Sequence, residues 1–493
     1  MSDINKALTP LESIDKVPVD SAQEFQADQK ITFIFSANDM YMWLINDSYL
    51  SFDLNITRAA YNITNNTGAA IAKDTPISSS YIRNACNIFK YVRVKYAGTV
   101  IEYNPYHQIE TFLRQFDFGE SYLLSNFNTF TTTEMIKQGL AHLEFNNGKA
   151  SAAIANGSAG NIATETYTIK NVVIPANILL PIFSDITAKG FPLGTLNNVL
   201  EIELFIAPPE SYLVDYSPKY NDFSGNLWCA NAANGIINYN VSAREITTFG
   251  NLATRYPTNS VKITKPNFHC KYYIPNENER AIIIDKSNNS GFKYRYFDYE
   301  IGTKTFNSID SRNIIPFTIH TSNTKSIIAY CYRNTLSPML MYRPYTNNVY
   351  LHMNGNDIPK QPISGDTYEY PIEYKYLVDD VFNNLDTYYS DTNNDLNKCY
   401  QYQKSDGIYN RTIEKPTSSF ILLGANFTTD PEDLGASSTR WQDTYQLHFS
   451  CEDITKNSSG NTSATRDTLI FVLAIRKECG IIVKNGMIEQ FDL

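Results

Sequence analysis

Residues 48–57, with the sequence SYLSFDLNIT, alternate apolar and polar side chains at a period of two. The apolar members are Leu50, Phe52, Leu54 and Ile56, and a polar residue follows each of them. Successive side chains of a β-strand point to opposite faces, so this pattern predicts a strand with one face in a hydrophobic core.

The same period recurs at residues 200–206, where Glu201 and Glu203 interrupt the apolar residues, and at residues 469–475. Helical spacing is confined to two short segments, residues 109–116 and 377–385. The sequence therefore predicts an all-β protein with short inserted helices.

Length and composition bound the class of protein. A chain of 493 residues is too long for one ordinary core and favours two domains. Hydrophobic residues make up 43% of it, with 35 Tyr and 27 Phe, a mixture that suits pleated surfaces and extensive contacts. This composition excludes a disordered protein.

The formal net charge of −10 argues against direct binding to nucleic acid, which needs clustered Lys and Arg. The first thirty residues are also acidic, so a basic genome-binding tail is not expected. Their charged residues are Asp3, Glu12, Asp15, Asp20, Glu24 and Asp28 against Lys6, Lys16 and Lys30.

Seven cysteines are spread along the chain without a CxxC pair, which favours reduced thiols over a zinc or redox site. Pro175, Asn177 and Pro181 interrupt the most apolar stretch, residues 172–183. We expect neither a signal peptide nor a membrane-spanning helix.

The two halves repeat one order of elements. In the first, residues 96–98 form a turn, a strand follows at 99–103, and a helix begins near Tyr106. In the second, a strand at 349–353 ends at Asn354-Gly355, a dipeptide suited to a hairpin, and a helix follows from about Tyr374. Each half then closes with an alternating strand, which indicates two copies of one module.

Residues 208–240 show no regular spacing of apolar residues, and we place the junction between the two halves there. The predicted division is an N-terminal arm at 1–28, a first sandwich at 29–210, a linker at 211–250 and a second sandwich at 251–493. Both sandwiches are expected to be antiparallel, with jelly-roll or similar topology. Three segments are predicted to be surface loops, namely residues 146–161, 390–398 and 456–465.

Residues 30–57, KITFIFSANDMYMWLINDSYLSFDLNIT, resemble the opening of the major capsid proteins of Polintons, adintoviruses and virophages. Further segments follow in the order that those proteins use. They are residues 87–116 with the helix YHQIETFLRQF, residues 183–208 with FPLG and the closing strand, and residues 313–376 with NVYLHMNGNDIP. The resemblance covers most of residues 25–485.

This resemblance implies a double jelly roll, two tandem antiparallel eight-stranded jelly rolls, that forms homotrimers of pseudo-hexagonal outline and icosahedral shells. It implies a non-enzymatic virion protein, assembled inside the host cell, whose partners are further copies, neighbouring capsomers, and penton and minor or cement proteins. No cofactor or metal is expected. We expect the acidic arm to face the particle interior, and membrane contact is left open.

Three sets of residues are weighed as chemical sites. Glu201 and Glu203 share a strand face and could form the paired carboxylates of a sandwich glycosidase, although a solvated or interface face is the commoner outcome. His269 beside Cys270 lacks companion ligands at metal-site spacing. An acidic cluster has a loose calcium-loop composition without the turn Gly or the closing Glu: Asp379, Asp380, Asp386, Asp391, Asn393 and Asp395.

Tyrosines could stack sugars or bases, but we favour packing and assembly for them. They are Tyr294, Tyr296 and Tyr299, with Tyr342 and Tyr345. The main rival hypothesis is a carbohydrate-binding or carbohydrate-cleaving β-sandwich, which needs a concave site joining aromatic and polar groups. A minor virion protein such as a spike or penton is a second rival, for which one jelly roll would suffice.

Overall fold

A computed structural model describes most of the chain. The described residues are 11–20, 22–36, 42–64, 70–82, 85–114, 143–183, 190–218, 244–246, 254–306, 313–319, 324–333, 346–353, 355–363, 403–405, 408–410, 421–426, 444–451 and 469–492.

In the described part of the chain, sixteen strands and two α-helices precede residue 274. The strands are β1 (Leu11–Lys16), β2 (Glu24–Phe25), β3 (Lys30–Phe35), β4 (Met42–Trp43), β5 (Tyr49–Arg58), β6 (Tyr61–Thr64), β7 (Pro76–Ile82), β8 (Phe89–Tyr96), β9 (Thr99–Asn104), β10 (Leu143–Lys149), β11 (Ala159–Ile162), β12 (Glu165–Pro175), β13 (Leu200–Ile206), β14 (Leu213–Pro218), β15 (Arg244–Ile246) and β16 (Val261–Tyr273). The helices are α1 (His107–Arg114) and α2 (Ala176–Leu179).

Among the described residues after 274, one α-helix and eleven strands follow. They are α3 (Glu277–Asn289), β17 (Phe292–Phe306), β18 (Asn313–Thr318), β19 (Thr324–Arg333), β20 (Thr346–Met353), β21 (Asn356–Ile363), β22 (Gln403–Ser405), β23 (Ile408–Asn410), β24 (Ile421–Asn426), β25 (Thr444–Cys451), β26 (Leu469–Lys484) and β27 (Met487–Asp492). The helix predicted at residues 377–385 lies outside the described residues, whereas α1 confirms the other one.

Eight strands form the first sandwich. One sheet has the order β1-β16-β5-β12 and the other β3-β13-β8-β9, and every pairing is antiparallel. The predicted alternation is confirmed in β5, where each second side chain from Leu50 to Ile56 is buried. Those side chains meet the inner faces of β3, β8 and β13, which alternate in the same way, and this builds the core.

The second sandwich repeats this arrangement strand for strand. Its sheets are β17-β26-β19-β24 and β18-β25-β20-β21. In chain order β1, β3, β5, β8, β9, β12, β13 and β16 therefore correspond to β17, β18, β19, β20, β21, β24, β25 and β26. Two four-stranded sheets connected in this order form a jelly roll, so the chain contains two.

The strand pairing gives a different division from the one expected. β16 falls within residues 251–493, yet it hydrogen-bonds to β1 and β5 of the first sandwich. β1 and β2, within the expected arm, also pair with β16. The element between the two sets of eight strands is α3, whose N-terminus is closed by a capping box of Asn276 and Glu279.

Two expected irregular segments contain strands. The predicted loop 146–161 takes part in β10 and β11, and the predicted linker contains β14. β10, β7, β14 and β15 form a separate four-stranded sheet, and β11 pairs with β6. In these strands apolar and polar residues alternate over too few positions to be recognised in the sequence. The expected loops at 390–398 and 456–465 lie outside the described residues.

No helix in the described part of the chain is long and apolar enough to cross a membrane. The longest is α3, with 13 residues.

Candidate assembly surfaces and the predicted site residues

The two sandwiches meet along non-equivalent edges. The first contributes β9, the end of β8, and residues 181–183 and 190–197 from the connection between β12 and β13. The second contributes the start of β17 and the hairpin of β26 and β27. Their hydrophobic cores are continuous through this contact, so the two sandwiches form one packed body.

The hairpin turn of the second sandwich is held by Asn197. Its backbone N–H donates to the carbonyl oxygen of Gly486 over 3.1 Å, and its Nδ2 donates to the carbonyl oxygen of Asn485 over 3.0 Å. The Tyr96 hydroxyl also donates to the Gly486 carbonyl. Gly486 has φ +73°, and a Cβ there would lie 2.3 Å from the Asn197 side chain, so another residue would strain the backbone and displace the Asn197 amide.

Tyrosines of β17 fill the same contact. The Tyr294 hydroxyl donates to the carbonyl oxygen of Gly190 over 2.7 Å, and its ring lies 5.6 Å from that of Phe191. Gln490 Nε2 donates to the Tyr296 hydroxyl and to the carbonyl oxygen of Ile101 in β9. Burial raises the pKa of Tyr296 well above its ordinary value.

These positions favour packing over ligand stacking. Tyr294, Tyr296 and Tyr299 are each at most 7% exposed, so none presents a free ring face to a sugar or a base. Tyr342 and Tyr345 lie outside the described residues.

A small cleft with a cavity volume of about 20 Å³ lies beside this contact, and Trp43, Phe183, Phe191 and Tyr294 are among the residues that line it. Asn46 and the Tyr294 hydroxyl supply its side-chain polar groups, and that hydroxyl is already bonded to Gly190. A sugar site needs several convergent polar groups around an aromatic platform. This cleft therefore gives little support to carbohydrate recognition.

Glu201 and Glu203 do share the outer face of β13, as predicted, but in different surroundings. Glu203 is 1% exposed and holds three cations: Lys30 Nζ at 2.7 Å, Lys95 Nζ at 2.9 Å and Arg93 Nε at 2.9 Å. Glu201 is half-buried. The pair therefore forms no matched acid and base facing a common substrate.

The cation cluster keeps Glu203 ionised. Burial alone would raise its pKa, but hydrogen bonds from Lys30 and Lys95 and the charge of Arg93 outweigh it, so the pKa lies below its ordinary value. Such a carboxylate cannot serve as a general acid near neutral pH. We interpret it as the link between β3, β8 and β13.

An aromatic cluster continues this face. The ring of Phe205 stacks on Tyr91 at 4.1 Å, and the Arg93 guanidinium lies 5.0 Å from its centroid. Tyr103 of β9 is 55% exposed and packs edge-on against Tyr91. Sequence reasoning missed this cluster, although alternation within β8 and β13 places Tyr91, Arg93 and Phe205 on one face.

His269 and Cys270 point to opposite faces of β16, as neighbours in a strand must. Cys270 is buried in the core, which raises its pKa to about 12, and His269 lies on the outer face. The two side chains cannot bind one metal ion. In the described part of the chain no group of three His, Cys, Asp or Glu could hold a metal, and the acidic cluster at residues 379–395 lies outside it.

His269 instead joins three adjacent strands. Its Nδ1 lies 2.6 Å from Asp15 Oδ1 in β1, and its Nε2 lies 2.6 Å from Ser51 Oγ in β5. The Tyr49 ring packs on the imidazole at 4.6 Å. Because an ionised carboxylate only accepts, Nδ1 donates to Asp15. These contacts attach the edge strand β1 to its sheet. Sequence analysis missed them because Ser51 and Asp15 lie 218 and 254 residues from His269 in the chain.

Comparison with known proteins identifies the architecture. No family model matches the sequence, and no curated protein sequence matches it. Among solved structures, the chain is similar to the Sputnik virophage structure determined by cryo-EM, with a TM-score of 0.51 at 12% identity, over 98% of this chain and 88% of that one. It is also similar to the mavirus major capsid protein, with a TM-score of 0.51 at 10% identity, over 97% of this chain and 90% of that one.

These likenesses and the strand order confirm the prediction of an all-β double jelly roll. The chain has the fold of these virophage proteins along nearly its whole length. For Polinton and adintovirus proteins, the resemblance stays a prediction.

Proposed function

We propose that this chain is the major capsid protein of an icosahedral DNA virus of the Polinton and virophage kind, and that it self-assembles as pseudo-hexagonal homotrimers. The observation that carries the proposal is the strand-for-strand duplication of one jelly roll within a chain that shares its fold with the mavirus major capsid protein over 97% of its length. Three copies would place six similar sandwiches around one axis.

The mechanism is assembly. Obligate interfaces bury on the order of 2,000 to 5,000 Å² and are rich in apolar and aromatic residues, a composition that this chain can supply. Each contact between trimers would be weak, so that a misplaced trimer can dissociate and bind again. The large number of such contacts would make the whole shell stable.

The proposed partners follow from this role. They are further copies within the trimer, neighbouring capsomers, and penton and minor or cement proteins. The proposed location is the virion, after assembly inside the host cell. With a net charge of −10, direct binding to the genome is not proposed. In the proposed division, α3 connects the two jelly rolls, and the acidic arm at residues 1–28 faces the particle interior.

No enzymatic activity is proposed. Glu203, one of the two weighed carboxylates, is neutralised by three cations, and the weighed tyrosines of β17 are buried. These observations favour the capsid role over the carbohydrate-binding alternative, and Tyr342 and Tyr345 lie outside the described residues.

The test is the mass of the purified protein by size-exclusion chromatography with light scattering, followed by negative-stain electron microscopy. Hexagon-outlined particles at three times 56.0 kDa are expected. A compact monomer at micromolar concentration would contradict the proposal, and glycan-array binding would then test the alternative.

A further inference from the structure

On the outer face of the first sandwich, an imidazole lies between a carboxylate and a hydroxyl. His269 Nδ1 lies 2.6 Å from Asp15 Oδ1, and His269 Nε2 lies 2.6 Å from Ser51 Oγ. Because Nδ1 carries the proton that is donated to the carboxylate, Nε2 has a lone pair, and the Ser51 hydroxyl donates to it. A hydroxyl that donates to a base, which a third group orients, has the arrangement of an activated nucleophile.

The imidazole is held in one orientation and is open to solvent. The Tyr49 ring packs on it with centroids 4.6 Å apart, and the bond to Asp15 fixes which nitrogen carries the proton. The His269 side chain is 28% exposed and that of Asp15 58%, whereas Ser51 is half-buried. A small molecule in solvent can therefore reach the hydroxyl from the outer face.

The sheet is irregular on both sides of Ser51. The pairing of β5 shifts register in β16 between Thr264 and Asn267, and in β12 between Ile169 and Val172. Such bulges are over-represented next to active sites, where they re-aim side chains. Asn267 is the cross-strand partner of Ser51, and its Oδ1 is buried without a hydrogen-bond partner among the described residues. When this amide turns over it presents an N–H instead, the kind of donor that stabilises a developing oxyanion.

We propose that Ser51 is an activated nucleophile that accepts an acyl group from an activated carboxylic ester, with His269 as its base and Asp15 as the residue that positions the base. Ser51 Oγ bonds to the ester carbon while its proton passes to His269 Nε2. The bond from that carbon to the leaving oxygen then breaks, and the leaving alcohol takes the proton from Nε2. The product is one acyl group esterified to Ser51, a modification of this chain that involves no turnover and goes beyond the proposed assembly role.

The test uses a fluorescent fluorophosphonate, whose phosphorus takes the place of the ester carbon and whose fluoride is the leaving group. A serine without an adjacent base is a weak nucleophile and reacts slowly with such a probe. The full-length protein is labelled over a time course, and peptide mass spectrometry locates the adduct. Ser151 is the internal control, because it is exposed but its hydroxyl donates to the backbone carbonyl oxygen of Asn161 over 2.6 Å.

The variant is His269→Gln, whose amide can still form hydrogen bonds but cannot act as a base. Circular dichroism checks its fold. His352→Gln is the matched control, since His352 also pairs with a carboxylate, that of Asp357 at 2.7 Å, but in the second sandwich. If His269→Gln fails to fold, Asp15→Asn and Asp15→Glu replace it, and the labelling rate should fall in the former and recover in the latter.

In the wild type and in His352→Gln, we expect Ser51 to be labelled at least about a hundredfold faster than Ser151, and in His269→Gln at least about a hundredfold more slowly than in the wild type. An unlabelled Ser51, or equal rates in the wild type and His269→Gln, overturns the proposal. Either result leaves the capsid proposal standing, because assembly does not require a reactive serine.

Discussion

The carbonyl oxygen of Gly486 in the second sandwich accepts a hydrogen bond from the backbone N–H of Asn197 in the first, over 3.1 Å. A Cβ added at Gly486 would overlap the amide group of the Asn197 side chain unless that group moved. The turn of β26 and β27 is therefore a point at which the relative position of the sandwiches is set.

Replacing Gly486 with alanine should destabilise the protein by about 2–4 kcal/mol, since the new Cβ both clashes with Asn197 and strains the positive φ. Thermal unfolding measures the loss. Gly98→Ala is the matched control, because φ there is +78° but a Cβ meets nothing within 4 Å. The control should cost about 1–2 kcal/mol. Equal losses would show that the contact with Asn197 does not matter.

Replacing Glu203 with glutamine should cost about 3 kcal/mol, because Lys30, Lys95 and Arg93 then surround a neutral buried group. Urea unfolding is the measurement. Glu201→Gln, two residues away on the same face, should change the free energy of unfolding by less than about 0.5 kcal/mol. A similar effect for both variants would refute a special role for the cation cluster.

The cluster of Glu203 and its three cations should also affect how the stability of the protein depends on pH in acid. Its pKa in the folded protein lies below the unfolded value of about 4.3, so its contribution is complete above that pH and is lost as the pH falls through the folded pKa. Melting temperatures of the wild type and Glu203→Gln should differ at neutral pH and converge in acid. Parallel curves from pH 7 to pH 2 would argue against this linkage.

Replacing His269 with alanine should loosen β1, because the hydrogen bonds to Asp15 and Ser51 disappear together. Amide hydrogen exchange within Leu11–Lys16 should accelerate about fivefold, as expected for a loss of about 1 kcal/mol. His352→Ala removes a similar pair with Asp357, 2.7 Å long, far from β1 in sequence, and should leave those amides unchanged. Unaltered exchange in the His269 variant would exclude the fastening role.

Much of the fold could be predicted because its signals are local. The alternation in β5 and β13 and the turn before β9 depend on residues within one strand or hairpin. The repeated order of elements then indicated two modules. The boundary between them was harder, since β16 has the same period whether it pairs with β5 or with a strand of the second sandwich.

The candidate sites depended on long-range contacts. Glu203 lies 173 residues from Lys30 and 108 from Lys95 in the sequence, and no local pattern indicates that both reach it. The polar face of β13 was readable, but its burial was not.

The sequence by itself thus determined the long alternating strands such as β5 and β13, their buried faces and the presence of two modules, because strand periodicity is set by bonded neighbours. Only the tertiary structure decided which edges of the sandwiches meet and which polar side chains are paired. Those choices rest on contacts such as Asn197 with Gly486, between side chains and turns brought together after both sheets have closed.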